Sequence, residues 1–195
     1  MNISDIHELY FITDISNVAS IMREGILSHN EALRVHHHSI AEQGVQERRQ
    51  NKKIPGTNKH VHDYANLYFD AHNPMLSARR GLNNTICVLR INSDILSIDG
   101  VIVTDQNASR DCWFKPVNEG LPLLKHSEVF EVNWIRRNDP MEEYRLKGIK
   151  CAEVLVPKCV DCRYVFGAYV SNSVALSKFK QASSLPVEIK ENLFF

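Results

Sequence analysis

Glu153 has the clearest claim to chemistry in this chain. It heads an apolar run, Cys151-Ala152-Glu153-Val154-Leu155-Val156-Pro157, that reads as a buried strand. A carboxylate there is costly unless it is solvated at the strand's end, paired or functional. Arg48-Arg49 offers a counterpart, since guanidinium forks match phosphate oxygens; a solvated helix end is the alternative. Tyr68-Phe69 and Tyr10-Phe11 could stack a flat ring or simply pack in a core. His36-His37-His38 could meet a metal or a phosphate, or face solvent. His62-Asp63-Tyr64 could orient an imidazole or form an Asx turn. Asp105-Gln106-Asn107 follows a strand end, where binding residues often sit.

Two absences narrow the chemistry. There is no Gly-rich phosphate loop among only eight glycines, which argues against Rossmann and P-loop nucleotide binding. No GxSxG elbow and no HExxH occur. Cys159-Val160-Asp161-Cys162 is a CxxC without a second CxxC or CxxH. Zinc needs about four ligands, so a turn between two strands is preferred and no metal is expected.

The elements that must carry these residues are short and irregularly mixed. Leu9 to Thr13 reads as a strand, Ser16 as an N-cap, Val18, Ile21 and Met22 as one helical face, and Gly25 as its stop. Residues 40–50 could be helical. Lys52 to His62 holds Pro55-Gly56 and reads as a loop. Asn66 to Phe69 is a short strand, and Asn73-Pro74 breaks the chain before a short helix. Strands are expected over Thr85–Ile91, once or twice between Ile95 and Thr104, and over Ala152–Val156 and Tyr164–Val170. Helices are expected from Asp139-Pro140 through Lys147 and over Ser173–Gln181. Ser109 to Phe130 reads as irregular. The pattern is α+β rather than a βαβ array.

At 195 residues the chain fits one domain over residues 1–182, with a C-terminal tail over 183–195 that is polar from Ser183 and expected to fray until Leu193-Phe194-Phe195. A hydrophobic content of 44% and a charged content of 24% are ordinary for a globular protein. No run approaches the ~20 apolar residues of a membrane span, and the first residues lack a signal-peptide pattern, so no membrane and a cytoplasmic location are expected. The five cysteines are then expected to be reduced. The formal net charge is zero, yet Arg48, Arg49, Lys52, Lys53 and Lys59 fall within a dozen residues, opposed only by Glu47.

Taken in order, several blocks resemble one family. They are Tyr10-x-Ile12-Thr13-x-Ile15-x-Asn17, Ile26-Leu27-Ser28, Ser39-Ile40 with Arg49, and His62-Asp63-Tyr64 through Tyr68-Phe69 to Asn73-Pro74-Met75-Leu76. Thr104-Asp105-x-Asn107-Ala108 and Ala152-Glu153-x-Leu155-Val156 complete the set. The chain resembles the DarT family over about residues 9–172. These are NAD-dependent ADP-ribosyltransferases that modify bases in single-stranded DNA, toxins opposed by an ADP-ribose-removing antitoxin of the macrodomain type.

The resemblance implies an ADP-ribosyltransferase-like split mixed β-sheet with flanking helices that grips NAD, as co-substrate, in a central cleft. By position, Phe11, Ile12 and Thr13 would hold the nicotinamide end. Tyr68 would join the cofactor-binding set, Arg49 would be catalytic and near the phosphates, and Glu153 would be the catalytic glutamate. The family usually has His where this chain has Phe11, and often His where it has Asp14. Arg48, Lys52, Lys53 and Lys59 would contact the phosphates of the strand. Arg49 and Glu153 favour an active enzyme. Phe11 favours an impaired NAD- or nucleic-acid-binding module of the same fold; a transferase acting on RNA or protein is a third alternative.

Overall fold

The computed structural model describes all 195 residues. Ten strands form in chain order: β1 (Glu8–Asp14), β2 (Ile26–Leu27), β3 (Tyr64–Tyr68), β4 (Ile86–Asn92), β5 (Ile102–Thr104), β6 (Phe114–Pro116), β7 (Glu153–Pro157), β8 (Cys159–Val160), β9 (Val165–Val170) and β10 (Val187–Ile189). Eight of them make one mixed sheet in the order β10-β9-β4-β1-β3-β7-β5-β6, while β2 and β8 form a separate pair. Every pairing in the large sheet is antiparallel except β10 with β9.

Period-two side-chain alternation explains the layering. Leu9 of β1, Leu67 of β3, Leu89 of β4 and Val154 of β7 face one large core. That core is closed by Val18 and Ile21 of the helix Val18–Glu24, and by Ala175 and Phe179 of the helix Ser173–Ala182. The opposite face carries two smaller clusters. Ile12, Tyr68, Ile86 and Tyr169 belong to one, and Tyr64, Ile102 and Leu155 to the other. Because both faces are covered, the central strands are nearly continuous apolar runs.

The sheet is two halves joined at a seam. β1 pairs with β4 over seven residue pairs, and β3 with β7 over five. β1 and β3 meet at one pair, Tyr10 with Tyr68. Beyond that pair the two strands part, and the split of the sheet lies there.

Several local expectations are corrected. Ser16 is not the helix cap: Asp14 accepts from the Ser16 amide and opens a 3-10 turn, Ile15–Asn17, ahead of the helix. Gly25 does end that helix, at φ 84°, and a Cβ there would lie 2.5 Å from the Val160 carbonyl oxygen. Of the one or two strands expected between Ile95 and Thr104 there is one, in keeping with that expectation, because Ser93–Ser97 closes into a 3-10 turn capped by Asn92. The stretch from Ser109 is more regular than expected, holding β6 and the short helix Val117–Gly120.

The segment after Ser183 does not fray. β10 adds to the sheet edge, Leu193 and Phe194 are buried, and His72 Nδ1 donates to the Leu193 carbonyl at 2.9 Å. The Phe195 ring stacks on His72 at 4.3 Å. Packing therefore joins residues 183–195 to the body of the domain. No helix is long and apolar enough to cross a membrane.

Candidate active site

Where β1 and β3 part, a cleft of about 710 Å³ opens, lined by Phe11, Ile12 and Thr13 on one side and Asn66 and Tyr68 on the other. This is within the range of small-molecule sites. Its outer wall is the segment 37–42, which is pinned from both ends. Asn17 exchanges hydrogen bonds with His38, donating to its carbonyl at 2.9 Å and accepting from its amide at 2.8 Å. Arg79 Nε donates to the Ile40 carbonyl at 2.5 Å. Asn17 also donates to Thr13 Oγ1 at 3.1 Å, tying the wall to β1.

Glu153 is not solvated at its strand's end. It is 0% exposed, and Arg49, 4% exposed, donates through Nη1 to both carboxylate oxygens at 2.8 and 3.0 Å. These two residues lie 104 positions apart in sequence. β7 places Glu153 opposite Tyr68, and its amide donates to Thr104 Oγ1 at 3.1 Å. Arg49 comes from the helix Gln43–Gln50, in which it is the buried residue. Burial works against the guanidinium's charge, yet the Glu153 carboxylate and its hydrogen bonds hold Arg49 above its ordinary pKa. Burial, then the same carboxylate, push the Tyr68 hydroxyl well above its usual value, so it stays protonated.

Arg49 lines the cleft and Glu153 sits directly behind it. A buried carboxylate fixed in this way can stabilise positive charge developing on a bound group, and the adjacent guanidinium can hold an anion. Cys151 also borders the cleft, but burial pushes its thiol up to about 12, which leaves it a poor nucleophile.

Of the basic cluster, Arg48 is exposed on the cleft wall, while Lys52, Lys53 and Lys59 do not line it. Lys52 Nζ donates to the Arg110 carbonyl, and Lys59 lies 5.5 Å from the Tyr64 ring centroid. Lys53 is exposed and bridges to His60 through the backbone. His37 and His38 border the cleft, and no group of three His, Cys, Asp or Glu is placed to hold a metal. All five cysteines are free, and the CxxC turn lies between β8 and β9.

Some cleft residues escaped sequence reasoning: Gln46, Arg110, Tyr144 and Lys147. Tyr144 is 62% exposed, and the Arg110 guanidinium lies 4.0 Å from its ring centroid, with Nη1 donating to the Tyr144 carbonyl at 2.7 Å. Tyr144 and Lys147 share a face of the helix Pro140–Ile149 at i, i+3 spacing. The turn at Asn107 was the one local signal for this wall, and Asn107 does border the cleft.

A mixed sheet parted at a single seam, with a buried glutamate and arginine behind the opening, has the ADP-ribosyltransferase architecture. The chain belongs to the DarT family: residues 10–195 match the family described as "ssDNA thymidine ADP-ribosyltransferase, DarT". It is 32% identical over 200 residues to a DNA ADP-ribosyl transferase–DNA ADP-ribosyl glycohydrolase fusion protein of Thermosipho africanus, a match covering 96% of this chain and 49% of that protein. The chain thus spans about half the length of that curated relative.

Among solved structures, Thermosipho africanus DarTG in complex with ADP-ribose superposes with a TM-score of 0.81 at 29% identity, over 97% of this chain and 51% of that one. Thermus sp. 2.9 DarT in complex with ADP-ribosylated ssDNA gives 0.80 at 26% identity, over 98% and 97%.

Proposed function

We propose that this chain transfers ADP-ribose from NAD to a thymidine base of single-stranded DNA, and that it acts as the toxin of a toxin–antitoxin system in the cytoplasm. The observation that carries this reading is the buried Arg49–Glu153 pair at the seam of the split sheet, in a chain that belongs to the DarT family. Phe11, Ile12, Thr13 and Tyr68 form the walls that would hold NAD, and the cleft size suits such a ligand.

In the reaction the glycosidic bond between ribose and nicotinamide breaks, nicotinamide leaves with the bonding pair, and positive charge builds on the ribose. Glu153 stabilises that charge and fixes the sugar. The acceptor base forms the new bond to the ribose carbon through a ring nitrogen, whose proton is lost to solvent. Arg49 holds pyrophosphate and orders the acceptor. An arginine is a poor formal base at its pKa, so its part is electrostatic.

The cleft suits a nucleic-acid strand as well. Arg48, Arg79, Arg110 and Lys147 border it against one carboxylate, Glu42, in a chain of zero net charge. The exposed Tyr144 offers an aromatic face of the kind on which unpaired bases stack. Lys53 and Lys59 are exposed cations that do not line the cleft. An ADP-ribose-removing partner of the macrodomain type would be the antitoxin, in keeping with a relative that is named as a fusion to a glycohydrolase.

Incubation of the purified chain with labelled NAD and thymidine-containing single-stranded DNA, RNA or protein tests the proposal. Label is expected on DNA alone and should be removed by a DNA ADP-ribosyl glycohydrolase. Label on RNA or protein instead would replace the acceptor class. NAD binding with no transfer to any acceptor would support the impaired module that Phe11 suggests.

A further inference from the structure

The helix that carries Arg49 has little of its own to hold it in place. It is eight residues long, and Arg49 is its one buried residue. An isolated helix this short is unstable in water, and helices ordinarily depend on an apolar face docking on a core. Its C-terminal end is tethered through the backbone, where the Val61 amide donates to the Lys52 carbonyl at 2.9 Å. Apart from Arg49's own bonds to Glu153, one side-chain hydrogen bond ties the helix to the body. His62 Nε2 donates to Gln46 Oε1 at 3.1 Å, one turn before Arg49.

His62 is itself seated with care. It is 6% exposed, and its ring stacks on His29 with centroids 4.0 Å apart and planes 25° from parallel. His29 borders the cleft, as do Gln46 and Arg49. The neighbouring residues repeat the link. Asp63 accepts from Asn30 Nδ2 and from the His60 amide, both at 2.7 Å. The segments 28–32 and 60–63 are therefore joined twice, ring on ring and carboxylate to amide.

We propose that His62 is a positioning residue for Arg49: held by His29 and the Asp63–Asn30 link, its ring fixes the helix Gln43–Gln50 through Gln46 and so sets the guanidinium against Glu153. Neutrality matters because of what surrounds the ring. Arg49 from the helix, His29 from the 29–32 turn and His60 from its own turn are cationic or become so, and Asp63 is the one carboxylate facing it. A proton on His62 would add a cation to that group and push the Arg49 helix outward. Burial foremost, then His29 and Arg49, hold the imidazole at about 4, so it is neutral at physiological pH.

The part of the proposal that concerns turnover rests on the transferase reading above; the part that concerns the helix does not. Four proteins are compared as the full chain: the parent, His62→Leu, Gln46→Ala, and His62→Gln, which keeps an amide donor near the position of Nε2. Amide hydrogen exchange over residues 43–50 without NAD is read beside kcat and KM for NAD on single-stranded DNA.

His62→Leu and Gln46→Ala should each speed exchange across 43–50, and lower kcat, by up to about tenfold, the scale of one net hydrogen bond. A fifth protein, the double variant His62→Leu/Gln46→Ala, should lose no more than either single variant. His62→Gln should recover most of both losses, which a merely volume-filling role would not allow. Parental exchange over 43–50 in Gln46→Ala, or His62→Gln behaving as His62→Leu, would overturn the proposal. A parent that folds and transfers nothing would instead defeat the transferase reading, with exchange still deciding the role of His62.

Discussion

Removing Glu153 should do two separable things, and the structure sets the size of each. In Glu153→Ala the guanidinium of Arg49, 4% exposed, loses the carboxylate that accepts both of its short bonds. Stranding one member of a buried pair costs about 3–5 kcal/mol. Arg49 borders the cleft and can turn toward water, so the low end of that range is expected for Glu153→Ala. Glu153 has no such route, so Arg49→Ala should cost more. At about 2–4 °C per kcal/mol for a domain of this size, Glu153→Ala should melt roughly 6–12 °C lower.

The double variant Arg49→Leu/Glu153→Leu removes both charges and should be more stable than the sum of the single losses allows, by about 2–3 kcal/mol. Transfer to DNA should fall at least 10²–10³-fold in every variant, including the double one that regains stability. Urea unfolding with a constant m-value supplies the energies, and labelled transfer from NAD supplies the rates. Strictly additive energies would mean that each group is satisfied independently of the other. Parental activity in a folded Glu153→Ala would remove Glu153 from the chemistry altogether.

Restoring the family's usual residue in Phe11→His should tighten NAD binding in calorimetry with little loss of stability, because Phe11 is half-buried at the cleft; lost stability with unchanged affinity would make it ordinary core. Lowering the pH should destabilise the fold between about 6.5 and about 4. The unfolded chain takes a proton on His62 from about 6.5 downward and the folded one only near 4, a difference of at most about 3 kcal/mol that His62→Gln should abolish in urea titrations across that window. Arg48→Gln, on the cleft wall, should lower the magnitude of the salt slope of single-stranded DNA binding by about 0.7, with smaller changes for Lys53→Gln and Lys59→Gln beyond it; an unchanged slope for Arg48→Gln would place the strand elsewhere.

Much of the sheet could be read locally, because its strands are short apolar runs between clear breakers. Asn73-Pro74 and Asp139-Pro140 start helices where their chemistry says they should, with the Asn73 and Asp139 side chains each accepting from an amide of the first turn. Glu153 stood out for a physical reason that the structure bears out: a carboxylate in an apolar run needs a partner, and it has one. The identity of that partner was not legible, since the pairing spans 104 residues and depends on how the sheet closes. The same limit hid Arg110 and Tyr144, which meet only because the loop after β5 packs on the helix Pro140–Ile149. The tail misled for the opposite reason. Polar residues over 183–192 suggested fraying, but the backbone pairing of Val187–Ile189 with β9 does not need an apolar run.

The seam explains why a costly buried pair can persist here. Between β1 and β3 the ladder is reduced to Tyr10 with Tyr68, so no strand covers the position where β3 would otherwise continue its pairing. Glu153 lies opposite Tyr68, next to that gap, on the face that carries the two smaller clusters. Apolar residues filling the gap would close the sheet and add stability, as replacing buried ion pairs with packed hydrophobes commonly does. The chain instead leaves the seam open and spans it with Arg49, from a helix that is held by polar links rather than by a core face. A guanidinium so placed can exchange Glu153 for an incoming anion without unpacking anything apolar. Full closure of the β1–β3 ladder, by substitutions that fill the space beside Phe11 and Asn66, should therefore raise the melting temperature and abolish NAD binding together. A closed variant that still bound NAD would show that the ligand does not enter at the seam.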